Sequence, residues 1–258
     1  MKCINKRVLA GLLVVCVFVS VTGCGKAKSV VENGYPVYGE SSSVNVLSGA
    51  EDTVSSYFGA NLCVGGTENI GQESVEHNSV AEAAGVFNTA TNTITYAQNI
   101  YERMYPASTT KILTAYLAIK YGNLSDVVTI SDNAVNLASD SSKCGLQAGD
   151  QITLQDLLYG LILRSGNDAA IANGLPDENH YTTVYDLYLI FQKALQDETF
   201  YQLISTSSYT TNYTAADGSA KTQDWSSTNQ YKTGESKLPD GFALVGGKTG
   251  TTGDAGFC

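Results

Sequence analysis

Two residue types that together make a nucleophile and its base stand three positions apart in the run Ser108-Thr109-Thr110-Lys111. A serine hydroxyl attacks poorly until a neighbouring base takes its proton, and a lysine relieved of its charge is such a base. At i and i+3 of a helical turn the two side chains share one face. A helix start also turns backbone N–H groups toward the serine, where an oxyanion would develop. Burial would disfavour the charged form of Lys111, lowering a pKa that is ordinarily about 10.4. Two further polar triplets follow in order, Ser165-Gly166-Asn167 and Lys248-Thr249-Gly250. The chemistry this set suggests is acyl transfer through a serine.

None of the triplets is distinctive alone. S-x-N recurs at Ser43, Ser131 and Ser227, and K-T-G recurs at Lys232. Context selects among them. Ser43 lies in a polar stretch, Ser131 reads as a helix cap, and Ser227 sits among polar residues. Lys232, flanked by Gln230, Tyr231, Glu235 and Ser236, reads as a solvated loop lysine. Lys248 instead follows the apolar run Phe242-Ala243-Leu244-Val245, expected to be a strand, and Gly246-Gly247, where a backbone can come close to a ligand. One ordered triple remains: Ser108/Lys111, Ser165/Asn167 and Lys248/Thr249.

The elements that must position these groups follow from periodicity. Ala84-Gly85-Val86-Phe87 and Thr93-Ile94-Thr95-Tyr96 flank Asn88–Asn92 as a hairpin. After Pro106, a helix is expected over 108–121, with Ile112, Ala115, Tyr116 and Ile119 on one face. Leu113, Leu117 and Ala118 occupy other faces, so this helix should be buried nearly all round. Ser131-Asp132 opens a second helix. Thr153, with Asp156 three residues on, caps a third that carries Leu154, Leu157, Leu158, Leu161 and Ile162 and ends at Arg164-Ser165-Gly166. Leu187, Ile190, Phe191 and Leu195 mark one more helix, and the C-terminal third turns β-like. Strands, helices and strands in that order give an α+β architecture.

The 258 residues, 43% hydrophobic and 16% charged, suit one or two globular domains with a core of their own. Lys2, Lys6 and Arg7 precede a short apolar run over 8–21, the pattern of a secretory signal. The run closes on Val21-Thr22-Gly23-Cys24, which resembles a bacterial lipobox, with Cys24 as the lipidated first residue of the mature chain. Residues 1–23 are then a lipoprotein signal peptide, and the anchored protein sits at the outer face of the cytoplasmic membrane. The alternatives are a plain signal peptide or a signal anchor. Residues 24–80, rich in Ser, Gly, Glu and Asn, read as a flexible tether, and 81–258 as the catalytic domain. Cleavage removes three of the 15 basic residues and none of the 25 acidic ones, moving the formal charge from −10 to −13. Such a chain lacks the basic patch that nucleic acid requires. Cys63, Cys144 and Cys258 form no C-x-x-C, and His77 and His180 form no H-E-x-x-H, so neither a metal nor another cofactor is expected. Cys144 and Cys258 could pair outside the cell, or pack as small apolar residues.

The text around the triplets carries more than the triplets. The segment from Arg103 to Ile112 resembles the active-serine region of low-molecular-weight D-alanyl-D-alanine carboxypeptidases, the serine penicillin-binding proteins. So do Asp156-Leu157-Leu158-Tyr159-Gly160-Leu161 leading into Ser165-Gly166-Asn167-Asp168-Ala169-Ala170, Gly174-Leu175-Pro176 with His180-Tyr181-Thr182-Thr183, and Gly246 through Thr252. The resemblance implies a β-lactamase/penicillin-binding-protein-like fold, an antiparallel sheet flanked by helices plus a helical subdomain. It also implies the roles. Ser108 attacks the carbonyl of the penultimate D-alanine of a peptidoglycan pentapeptide while Lys111 accepts its proton. The N–H groups of Ser108 and Thr251 form the oxyanion hole, and Ser165 passes a proton to the leaving D-alanine. Asn167 holds the substrate amide, and Lys248 and Thr249 bind the terminal carboxylate. Water then hydrolyses the acyl-enzyme, and β-lactams are trapped on the same serine.

Against the family pattern, a helical stretch between Ala172 and Asn173 is expected to be deleted, and the last core strand after Lys248-Thr249-Gly250 to be missing. Two rival functions follow. A class A β-lactamase would need a glutamate placed to activate water, for which only Asp177 and Glu178 are at hand. A non-catalytic wall-binding or β-lactam-sensing lipoprotein would keep the motifs without their supporting shell.

Overall fold

A computed structural model of the chain describes residues 61–71, 81–170 and 177–258. The expected signal peptide, Cys24 and the Ala172–Asn173 junction lie outside them. The architecture is α+β, with antiparallel sheets flanked by helices. Strands β1 (Ala84–Asn88) and β2 (Thr93–Gln98) form the expected hairpin, paired from Ala84↔Gln98 to Asn88↔Thr93. Its turn is held by Asn88 Oδ1, which accepts from the N–H groups of Ala90 and Thr91 at 3.0 and 3.2 Å.

Pro106 leads into a 3-10 turn, Ala107–Thr110, which runs without a break into α1 (Lys111–Tyr121). A four-residue helix, α2 (Asp132–Val135), follows β3 (Val127–Thr129) and is capped by Ser131 Oγ. Strand β4 (Gln151–Thr153) runs into α3 (Leu154–Leu163). Thr153 Oγ1 accepts from Asp156 N–H at 3.1 Å and donates to the Asp156 carboxylate at 2.7 Å, the reciprocal cap the sequence announces. Helices α4 (Val184–Ala194) and α5 (Glu198–Ser205) complete the helical side. Strands β5 (Ser208–Thr214) and β6 (Ala220–Ser226) pair along their whole length and join β3 and β4 in the order β3-β4-β5-β6.

Two cores result, and α3 serves both. Leu158, Leu161 and Ile162 pack with Ile112 and Ala115 of α1, Ala194 of α4, and Phe200, Leu203 and Ile204 of α5. Leu157 and Leu163 face Ile130, Cys144, Leu146, Ile152, Tyr213 and Trp225 on the sheet side. An apolar helix of this kind is the central strut of its domain.

Three expectations need correction. Helix α1 is buried on one face only. Leu113, Leu117 and Tyr121, one turn apart, are 38, 42 and 74% exposed, because α3, α4 and α5 all pack against the side that carries Ile112 and Ala115. Residues 242–245 form no strand, and Phe242 is 72% exposed. A strand needs a ladder partner, and pairing begins only at Gly250, whose N–H and carbonyl bond to Cys258 beside the short strands β7 (Thr251–Thr252) and β8 (Gly256–Phe257). Finally, residues 61–71 pack on the hairpin and α4 and do not trail as tether. Tyr188 Oη accepts from Cys63 N–H at 2.8 Å, Tyr185 Oη donates to the Cys63 carbonyl at 2.9 Å, and Tyr101 Oη donates to the Gly65 carbonyl at 2.7 Å. Ile70 and Ala97 exchange two backbone hydrogen bonds. Side chains of distant elements hold this backbone, so its own sequence shows no apolar period.

Candidate active site

The site begins where the 3-10 turn becomes α1. Lys111 is fully buried, and its Nζ donates to Ser108 Oγ at 2.9 Å and to Asn167 Oδ1 at 2.6 Å. Burial lowers the Lys111 pKa to about 8, against the opposing pull of the Asp168 carboxylate. A pKa there leaves about a tenth of the lysine neutral at pH 7, enough to take a proton from a hydroxyl already in hydrogen-bond contact. The turn itself is strained and pinned. Ala107 has φ +45°, Thr109 Oγ1 donates to the Pro106 carbonyl at 2.5 Å, and Thr110 Oγ1 donates to the Ala107 carbonyl at 2.9 Å. His180 lies against this turn, with Nε2 3.2 Å from Thr110 Oγ1, and the Met104–Thr182 bridge holds its loop there.

The second group is set by the end of α3. Ser165 adopts φ +54°, a left-handed conformation that costs a non-glycine residue roughly 1–2 kcal/mol. It reverses the chain so that Ser165 and Asn167 enter the site from the helix terminus. Asn167 is engaged at both ends of its amide. Oδ1 accepts from Lys111, while Nδ2 donates to Ser141 Oγ at 2.7 Å. Asp168, next in sequence, has a structural part that its place in the motif does not reveal. Its buried carboxylate accepts the N–H groups of Cys144 at 2.8 Å, Gly145 at 2.8 Å and Leu146 at 3.0 Å, fixing the loop that carries Ser141. Burial and this carboxylate together push the Cys144 thiol far up, so it stays protonated. Cys63, Cys144 and Cys258 are all free thiols, the first two buried.

The third group closes over the first. A Cβ on Gly250 would stand 3.0 Å from both Ser108 N and Ala107 Cβ, so glycine lets this backbone lie against the serine's own amide. Thr251 follows as the first residue of β7. Lys248 Nζ donates to Ser165 Oγ at 2.9 Å and to the Thr249 carbonyl at 2.5 Å. Burial, helped by repulsion from Lys111, lowers Lys248 to about 7. Thr249 Oγ1 lies 3.3 Å from Thr228 Oγ1. Direct hydrogen bonds therefore join Ser108, Lys111 and Asn167, and another joins Ser165 to Lys248. Thr249 and Thr251 flank the glycine that touches Ser108.

The competing triplets fall elsewhere. Ser131 is a cap, as read, and Ser227 is buried with its Oγ accepting from Asn229 N–H at 3.2 Å. Lys232 is not the solvated lysine the sequence suggests. It is half-buried, its Nζ donates to the carbonyls of Ile204 and Thr206, and burial lowers its pKa to about 8. The acidic pair a class A β-lactamase would draw on, Asp177 and Glu178, is exposed, with Asp177 Oδ1 occupied by Asn179 N–H at 2.9 Å. No group of three or more His, Cys, Asp or Glu poised to hold a metal occurs among the described residues.

Residues 70–173 match the profile of a family described as D-alanyl-D-alanine carboxypeptidase. The chain is 28% identical to the D-alanyl-D-alanine carboxypeptidase of Streptomyces sp. strain K15, over 78% of this chain and 82% of that one. It is 26% identical to D-alanyl-D-alanine carboxypeptidase DacF of Bacillus subtilis, over 53% of this chain and 44% of that one. A third match, DacA of Haemophilus influenzae, is 43% identical but covers only 30% of this chain and 21% of the relative. The chain thus spans most of the Streptomyces relative and less than half of the other two. Among solved structures it resembles the Streptomyces K15 DD-transpeptidase, with a TM-score of 0.61 at 26% identity, over 71% of this chain and 85% of that one.

Proposed function

We propose, from the chain's similarity to the low-molecular-weight serine D-alanyl-D-alanine carboxypeptidases, that it removes the terminal D-alanine of peptidoglycan stem peptides through an acyl-enzyme on Ser108. The observation that carries this is the contact between a desolvated Lys111 and the Ser108 hydroxyl. Neutral Lys111 takes the Ser108 proton as Oγ bonds to the carbonyl carbon of the penultimate D-alanine. The negative charge moves to the carbonyl oxygen, which the N–H groups of Ser108 and Thr251 receive. When the C–N bond breaks, the leaving amine needs a proton. Ser165 supplies it and draws on Lys248, whose ammonium already donates to Ser165 Oγ. Lys111 hands the proton it took to the Lys248 amine, which restores both. Water then adds to the ester carbon and gives a proton to neutral Lys111, which returns it to Ser108 Oγ as the ester C–O bond breaks.

Lys248 and Thr249 bind the substrate carboxylate. An arriving anion favours the charged form of Lys248 against the burial that depresses it. Asn167 reaches the substrate amide from the position in which it also orients Lys111. A β-lactam opens on Ser108 by the same attack, but its leaving nitrogen stays tethered to the acyl group. Release of D-alanine from a pentapeptide ending in D-Ala-D-Ala, lost in Ser108→Ala, tests this reading. Acylation by penicillin without any D-alanine release would favour the sensing alternative instead.

The protein is a lipoprotein in this reading, cleaved before Cys24 and held at the outer face of the cytoplasmic membrane, where its substrate lies. The support is the short apolar run ending in Val21-Thr22-Gly23-Cys24. Mass spectrometry of the mature N-terminus tests it, and a start downstream of Cys24 would refute it.

A further inference from the structure

We infer that Lys232 is a positioning residue for the Lys248-Thr249-Gly250 segment, clamping the carbonyls that close α5, against which the backbone leading to Lys248 rests. The inference builds on the carboxypeptidase reading and concerns a lysine outside the three motifs. Lys232 leaves a short helix, α6 (Gln230–Thr233), and its Nζ donates to the Ile204 carbonyl and, at 2.7 Å, to the Thr206 carbonyl. These are the last carbonyls of α5, which lack helical partners and carry the negative end of the helix dipole, so a cation is the natural group to hold them. The Ile204 carbonyl meets a second element. A Cβ on Gly246 would collide with its oxygen and lie 2.8 Å from its carbon, so the Gly246 backbone lies flush on the carbonyl that Lys232 grips.

The residues that carry Lys232 make the same connection twice more. Asn229, whose Oδ1 accepts from Tyr231 N–H at 3.0 Å and caps α6, has its Nδ2 3.3 Å from where a Gly247 Cβ would stand. Thr228 meets Thr249 through their hydroxyls, and its N–H donates to the Leu163 carbonyl at 3.0 Å, the last residue of α3 before Ser165. Ser227 N–H donates to the Ser207 carbonyl at 2.8 Å. Residues 227–232 therefore join the ends of α3 and α5 to the backbone over 246–249. The pKa of Lys232, lowered to about 8, has its cause in the partial burial that this placement imposes.

Lys248 and Thr249 bind substrate in the proposed reaction, so loosening their support should appear in KM. Lys232→Met, which keeps the stem and removes the donors, is expected to raise KM for the pentapeptide about tenfold with kcat within about twofold. In a Lys248→Ala background the same change should add nothing, because the group being positioned is gone. Lys232→Arg should restore KM to within about threefold of wild type. The amide resonances of Gly246 and Gly247 should shift in Lys232→Met and return in Lys232→Arg. If Lys232→Met does not fold, Lys232→Gln takes its place. An unchanged KM in the folded variant, or the same loss in both backgrounds, overturns the inference. If the wild-type chain releases no D-alanine, it is the carboxypeptidase reading that fails. The glycine resonances then decide the clamp alone: movement supports it, and unmoved resonances overturn it.

Discussion

At the scale of single residues, the site is a pair of desolvated lysines, one of them balanced by a carboxylate. Lys111 and Lys248 are both desolvated, and Lys248 is lowered further by its neighbour. Asp168 pulls the other way on Lys111 while its oxygens hold three consecutive N–H groups of the 144–146 loop. Asp168→Asn removes the negative charge, so the Lys111 pKa should fall and the rising limb of the pH–acylation profile should move to lower pH. The same change offers fewer acceptor sites to the buried donors of Cys144 and Leu146, at a cost of about 1–3 kcal/mol for each one left unpaired. Stopped-flow acylation across pH, with a melting curve at each point, separates the two effects. A limb that stays in place would mean that Asp168 acts on the loop alone.

At the scale of elements, what the sequence made legible was local. Ser108, Lys111, the cap at Thr153 and the turn after α3 could be read because each depends on residues within a few positions of itself. Helix α5 was equally readable from Asp197, whose side chain caps Phe200 N–H, followed by Phe200, Leu203 and Ile204 on one face. Its brevity hid it. Lys232 could not be read, since its partners are the carbonyls of Ile204 and Thr206. Tertiary packing alone brings them there. The exposed face of α1 escaped for the same reason, because an apolar residue announces a tendency to be buried and not the presence of a partner. The strand expected at 242–245 failed for want of a ladder.

Element packing also makes a prediction at Gly250. An added methyl would stand 3.0 Å from Ser108 N, tighter than an ordinary contact, so Gly250→Ala should push the segment away from the serine. Displacement of about 1 Å can cost on the order of 100-fold in rate. Penicillin acylation should drop by that order while the melting temperature changes little, because Gly250 lies outside both cores. Equal acylation by Gly250→Ala would show that the close approach is not needed.

At the scale of the molecule, the desolvation of one buried and two partly buried lysines makes stability depend on pH. Lys111 and Lys232 are lowered to about 8 and Lys248 to about 7, from an ordinary value of 10.5. Between those values and 10.5 the unfolded chain binds more protons than the folded one, so stability rises with pH. Tyr209 and Tyr213, raised chiefly by burial, reverse the trend once unfolded tyrosines begin to ionise at about pH 10. The melting temperature should therefore climb from pH 7 toward pH 10 and turn over above it. Lys111→Met should climb less, and a flat profile would mean that these lysines are hydrated.

The central claim is that one serine, activated by Lys111, carries the acyl group. Mass analysis of the intact chain after exposure to benzylpenicillin, followed by mapping of the modified peptide, tests it most directly. The account predicts a single adduct on Ser108, absent in Ser108→Ala and nearly absent in Lys111→Ala. An adduct on any other residue, or none on the folded wild-type chain, would contradict it.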